Sequence, residues 1–110
     1  MPGNPSRRQI QVSEEMAHAA ADFFARESNR ESLITVTRAD VSPDLKNVII
    51  FFSVLPERFE ESALNFAKRI RTDFREYIKE RSRLRTLPNI DFQIDYGEKN
   101  RQRIDELTRE

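Results

Sequence analysis

The residues of this 110-residue chain that could do chemistry are one histidine, a large set of carboxylates and a run of cations at 69–85. His18 is the sole histidine and there is no cysteine. An imidazole alone among Ala and Met has no second ligand to complete a metal site. The carboxylates fall on polar faces or in loops. None stands against a burial or like-charge signal that would tune it for proton transfer. Gly3 and Gly97 are the only glycines, so no loop can cradle a phosphate with its backbone. The chain is therefore expected to be no enzyme, with no cofactor, no metal and no small-molecule substrate.

The cations are different. Residues 69–85 read RIRTDFREYIKERSRLR, with seven basic and three acidic residues in a chain whose 19 basic and 19 acidic residues cancel. At helical spacing they sort by face. Lys68, Arg71, Arg75 and Lys79 share one flank, with Ser82 beyond. Arg69, Asp73, Glu76 and Glu80 share another, where Arg69 is placed to pair with Asp73. Ile70, Phe74, Tyr77 and Ile78 form the apolar stripe, with Arg81 beside them. The like-charged Arg71–Arg75 and Arg75–Lys79 pairs each cost roughly a few tenths of a kcal/mol in an isolated helix.

A uniformly basic flank fits a polyanion. Lys68, Arg71, Arg75 and Lys79 are the expected phosphate binders. Arg81, Arg83 and Arg85 extend the patch, Arg7 and Arg8 add to it from the N-terminal end, and Thr72 joins the set. Such contacts give affinity and register rather than base reading. Phe74 and Tyr77 face the core side, so base stacking is not expected. The competing reading is a solvated flank, with Arg81, Arg83 and Arg85 complementing the dipole of a helix end.

The elements that position these residues follow from periodicity. A helix is predicted from about Arg8 to Glu27, with Ile10, Ala17, Ala20 and Phe24 inward and Met16 and Phe23 beside them. LITVTRADV at 33–41 and NVIIFFSVL at 47–55 read as strands joined by Ser42–Pro43–Asp44 turn chemistry, hence an antiparallel hairpin. Phe59, Ala63, Phe66, Ile70, Phe74 and Tyr77/Ile78 keep a helical rhythm to about Ser82. One straight helix over 57–82 would be about 39 Å long, long for this domain, so a kink is predicted near 71–73, where Thr72 or Asp73 supplies a cap. Ile90, Phe92, Ile94 and Tyr96 alternate with polar residues as a third strand with one buried face.

Size and composition set the frame. Apolar content is 37% and charged content 35%, with eight Phe supplying much of the core volume. That is one domain at 7–97, after a flexible lead-in at 1–6 and before an extension at 98–110 holding Ile104 and Leu107. No apolar run approaches the roughly 20 residues of a membrane span, and the start lacks a hydrophobic signal region. A soluble intracellular protein without membrane association is expected.

Several stretches carry a resemblance. LITVTRADVSPDLKNVIIFFSVL, RSRLRTLPNIDFQIDY, RRQIQVSEEM and RIDELTRE together resemble the bacterial ribosome-binding factor A family over about residues 7–109. The resemblance implies an α+β, type II KH-like fold, α-β-β-α-(kink)-α-β, with a three-stranded mixed sheet and helices packed on one face. It also implies a cytoplasmic, non-enzymatic assembly factor, monomeric when free. Such a factor binds the immature small (30S) ribosomal subunit through 16S rRNA, in late maturation and rRNA processing, often tied to growth in the cold. The family's Ala-x-Gly kink falls on Ile70–Arg71–Thr72, where neither Ala nor Gly stands. The kink is accordingly expected to be milder, displaced toward Thr72 or Asp73, or lost. Two alternatives stay open at this point: a general KH-like RNA binder without ribosome preference, and a protein–protein adaptor with weakened RNA binding.

Overall fold

The computed structural model describes residues 5–27, 32–81 and 86–97. Helix α1 spans Arg7–Glu27. Its start is a capping box: the Gln9 N–H donates to Ser6 Oγ at 3.1 Å, and the Ser6 N–H donates to Gln9 Oε1 at 2.8 Å. Its buried residues are Val12, Met16, Ala20, Phe23 and Phe24. Ile10, expected on this stripe, is 44% exposed. The inward register starts at Val12, two residues later, which turns Ile10 away from the sheet.

Strands β1 (Leu33–Val41) and β2 (Asn47–Leu55) pair antiparallel. Their connection is held by polar side chains. Asp44 Oδ1 accepts from Ser42 Oγ at 2.6 Å and from the Lys46 N–H at 3.0 Å. The Ser42 hydrogen bond, ahead of the Lys46 N–H, pulls the Asp44 pKa below the usual aspartate value. Leu45 sits at φ 62°, a left-handed position costing a non-glycine residue on the order of 1 kcal/mol. The register between β1 and β2 shifts between Val36 and Arg38, which leaves Thr37 in a bulge.

Strand β3 (Asn89–Ile94) runs parallel to β2, giving a mixed sheet in the order β1-β2-β3. Val48, Ile50, Phe52 and Val54 of β2 and Ile90, Phe92 and Ile94 of β3 point into the core. Phe92 lies at its centre, with ring centroids 5.3 Å from Phe24 of α1 and 5.7 Å from the Phe74 ring of the helix that precedes β3. Phe24 also meets Phe52 at 5.8 Å. These contacts put the helices on one face of the sheet.

Alternation along the third strand predicts a buried Tyr96, but pairing stops at Ile94 and Tyr96 is 63% exposed. The buried residue there is Asp95. Its carboxylate reaches across β2 to the bulge, accepting from the Thr37 hydroxyl at 2.6 Å and standing 3.6 Å from Arg38 Nε. Arg38 also pairs with Asp40 and lies over the Phe51 ring at 3.9 Å. The Asp40 hydrogen bond raises the Arg38 pKa, against the desolvation that lowers it.

After Pro56 a short 3₁₀ turn at Glu57–Phe59 leads into α2 (Glu60–Arg69) and α3 (Arg71–Arg81). The break is a single residue, Ile70, at φ −91° and ψ 8°. Any L-residue can adopt this bridge conformation, so the absent glycine is not needed. The Ile70 N–H still donates to Phe66 O at 3.1 Å, and the Phe74 N–H to Ile70 O at 2.9 Å. The break therefore falls one residue before the expected 71–73 window, and Thr72 and Asp73 belong to the first turn of α3. The element order, α-β-β-α-α-β, is the one the resemblance implies.

Candidate nucleic-acid interface

The α3 register puts Phe74 and Ile78 in the core and turns the basic flank toward β3 and solvent. Phe74 is wholly buried against Phe23 and Phe92. That anchoring fixes where each cation emerges.

Two of the four flank cations are already engaged. Arg71 Nη1 lies 3.7 Å from Asp91 Oδ1, with Arg71 49% and Asp91 42% exposed at the side chain. Arg75 Nη1 donates to Pro88 O at 3.4 Å, a long hydrogen bond. Both tie α3 to the entry of β3. Lys68 and Lys79 are exposed and form no ion pair among the described residues. Thr72 is exposed between them. The ion pair expected between Arg69 and Asp73 is not among those the described residues form.

Arg81 lies over the Tyr77 ring, 3.8 Å from its centroid, and 3.8 Å from Glu80. Arg26 of α1 approaches the same ring at 5.6 Å. Tyr77 is half-buried against Phe23, so its outer face is covered by guanidinium rather than offered to a base. Arg81, Glu15, Ala19 and Asp22 border a shallow cavity of about 220 Å³ between α1 and α3. Arg7 and Arg8 are exposed in the first turn of α1, which holds no acidic residue. Arg83 and Arg85 lie outside the described residues.

Three of these segments meet at the hairpin-turn end. Gln9 Nε2 donates to Val41 O at 3.1 Å, which seats the start of α1 beside the hairpin turn. The Asn89 N–H donates to Lys46 O at 2.8 Å, which seats the start of β3 there too. Arg75 reaches Pro88 at that same end, and α3 runs on past it to Lys79 and Arg81. The start of α1, the hairpin turn and the start of β3 are thus neighbours, with Arg75 reaching toward them, whereas Arg81 packs on Tyr77 beside Glu15, Ala19 and Asp22 of α1. Arg26, Asp91 and Asp95 carry contacts that sequence reasoning missed. Only Arg26 had a local signal, a cation three residues after an inward Phe23. His18 is exposed on α1, and no group of three or more metal-ligating side chains occurs among the described residues.

The family model of ribosome-binding factor A matches residues 8–108. The chain belongs to the ribosome-binding factor A family. It is 35% identical over 108 residues to the ribosome-binding factor A of Paramagnetospirillum magneticum, an alignment covering 94% of this chain and 76% of that protein. It is 33% identical over 109 residues to that of a Bradyrhizobium strain, covering 94% and 79%. Among solved structures, the crystal structure of ribosome-binding factor A from Thermus thermophilus superposes with a TM-score of 0.70 at 22% identity, covering 78% of this chain and 94% of that one. A Thermus thermophilus ribosome-binding factor A homology model fitted into the cryo-EM map of a 30S complex gives 0.65 at 23% identity, covering 74% and 88%. These structural matches bear on the fold. In the family's terms, α2, the Ile70 break and α3 stand where the resemblance places the kinked helix pair.

Proposed function

We propose that this protein is a non-catalytic assembly factor that binds the immature 30S subunit through 16S rRNA and acts in late subunit maturation and rRNA processing. It works in the cytoplasm and is monomeric when free. The observation that carries the reading is family membership over nearly the whole chain, at residues 8–108. A 30S complex of the Thermus thermophilus protein supports the same partner here. The cations along α2 and α3 and at the start of α1 supply the means. Lys68, Lys79, Arg7 and Arg8 bind phosphates directly, Arg71 and Arg75 do so while tied to β3, and Arg81 with Thr72 borders the patch. Arg83 and Arg85 extend it. Contacts of this kind fix register on folded RNA, and the shape of the rRNA then selects the site.

Pull-down of immature and mature 30S subunits in the presence of competitor RNA tests the reading. Retention of immature subunits against excess competitor is expected. Equal capture of bulk RNA would favour a general RNA binder instead.

A further inference from the structure

Asp91 stands beside the cationic flank and is itself fixed in place. The Asn89 and Asp95 N–H groups donate to Lys46 O and Phe52 O of the β2 side. Odd-numbered N–H groups of β3 therefore face β2, and that of Phe92 faces outward along the free edge. The Asp91 carboxylate accepts this outward N–H through Oδ1 at 2.9 Å. The same oxygen lies 3.7 Å from Arg71 Nη1. That separation is too long for a hydrogen bond. The attraction is Coulombic, and the guanidinium keeps its other donors for a second anion. Arg71 opens α3 directly after the Ile70 break, half exposed on the flank assigned to RNA.

We propose that Asp91 is a built-in brake on RNA binding. Its carboxylate, held on the β3 edge by the Phe92 N–H, competes with an RNA phosphate for Arg71. It sets the affinity below what the cations alone would give. The proposal rests on the RNA-binding reading above. A phosphate drawn to Arg71 approaches a negative charge that cannot swing aside without giving up its backbone partner. Either that bond breaks or the phosphate binds weakly. Affinity differences of this kind appear mostly as faster dissociation, so the brake shortens the life of the complex. The pair is half exposed, which keeps its effect within the range of surface ion pairs.

Asp91→Asn is the test, because the amide keeps an oxygen for the Phe92 N–H and loses the charge. Binding to immature 30S subunits and to 16S rRNA is measured across a salt series. The variant is expected to bind about two- to five-fold tighter than wild type. Its plot of log affinity against log salt should steepen by up to about 0.9. In an Arg71→Gln background the same substitution should change nothing. Glu76→Gln, which removes one negative charge from another flank of α3, should tighten binding less. Equal tightening by Glu76→Gln, or a gain that persists without Arg71, would overturn the brake. Weaker binding by Asp91→Asn would make Asp91 an orienting partner of Arg71 and would also overturn it. Wild-type binding with no gain in the variant refutes the brake alone. Absence of wild-type binding at every salt concentration refutes the RNA reading and the brake with it.

Discussion

Charge reversal of Arg71 and Arg75 should unsettle the fold, whereas the same reversal at Lys68 and Lys79 should not, although all four share a flank. Arg71→Glu would replace the guanidinium that now stands 3.7 Å from Asp91 Oδ1 with a carboxylate on a shorter side chain. The two carboxylates then stand farther apart than about 4 Å, so in water they repel by less than about 1 kcal/mol. Both side chains are half exposed, so the watery limit is the relevant one. Loss of the attraction adds roughly 0.2–1 kcal/mol. Arg75→Glu forfeits the long hydrogen bond to Pro88 O, worth about 0.5 kcal/mol. A carboxylate in the first turn of α3 recovers about 0.3–1 kcal/mol from the helix dipole, so the double variant should lose about 1 kcal/mol. At 4–8 °C per kcal/mol for a domain of this size, its Tm should fall by roughly 4–8 °C. Lys68→Glu with Lys79→Glu meets no such partner. The helix-dipole cost of a few tenths of a kcal/mol at each helix end is offset by relief of like-charge repulsion, and Tm should stay within about 4 °C. Thermal unfolding followed by circular dichroism separates the two. Equal drops for both double variants would refute the assignment of Arg71 and Arg75 as ties between α3 and β3.

Two further outcomes test the frame of the site. Phe92→Ala should cost about 3–5 kcal/mol, since the ring is wholly buried between Phe24 and Phe74. Urea unfolding would read this as a lower midpoint, and a loss under about 1 kcal/mol would show that the core is not centred there. Asp44, with its folded pKa depressed by Ser42 and Lys46, contributes stability that is present above the unfolded aspartate pKa. That contribution is lost as pH falls through the lowered folded value. An NMR titration should place its midpoint below that of an ordinary aspartate, whereas a midpoint at or above it would contradict the turn geometry.

Much of the architecture was legible because its signals are local. The β-branched run at 33–41 and the apolar run at 47–55 gave strands with the observed bounds. Alternation at Ile90, Phe92 and Ile94 gave the third strand. Ser6 and Gln9 also carried a readable capping box, yet residues 1–6 read as lead-in because Pro and Gly dominate them. The periodicity that places Ile10 and Tyr96 inward runs one step past the buried register at each element's end, and both are exposed. The break at Ile70 was expected on length, but its position was not, since bridge conformations leave no residue signature. Arg71–Asp91, Arg75–Pro88 and Thr37–Asp95 join residues 13 to 58 positions apart. Such pairs exist only once the sheet has formed, and no local pattern announces them. The basic flank was thus visible in the sequence, while the division of its members into tied and untied cations was not.

The salt dependence of binding to immature 30S subunits bears most directly on the RNA-binding account. Wild-type affinity should fall linearly on a log–log plot against salt. Lys68→Gln with Lys79→Gln should reduce the steepness by roughly 1.4–1.8, the loss of two phosphate contacts. A flat wild-type response, or an unchanged slope in the double variant, would contradict binding through this face.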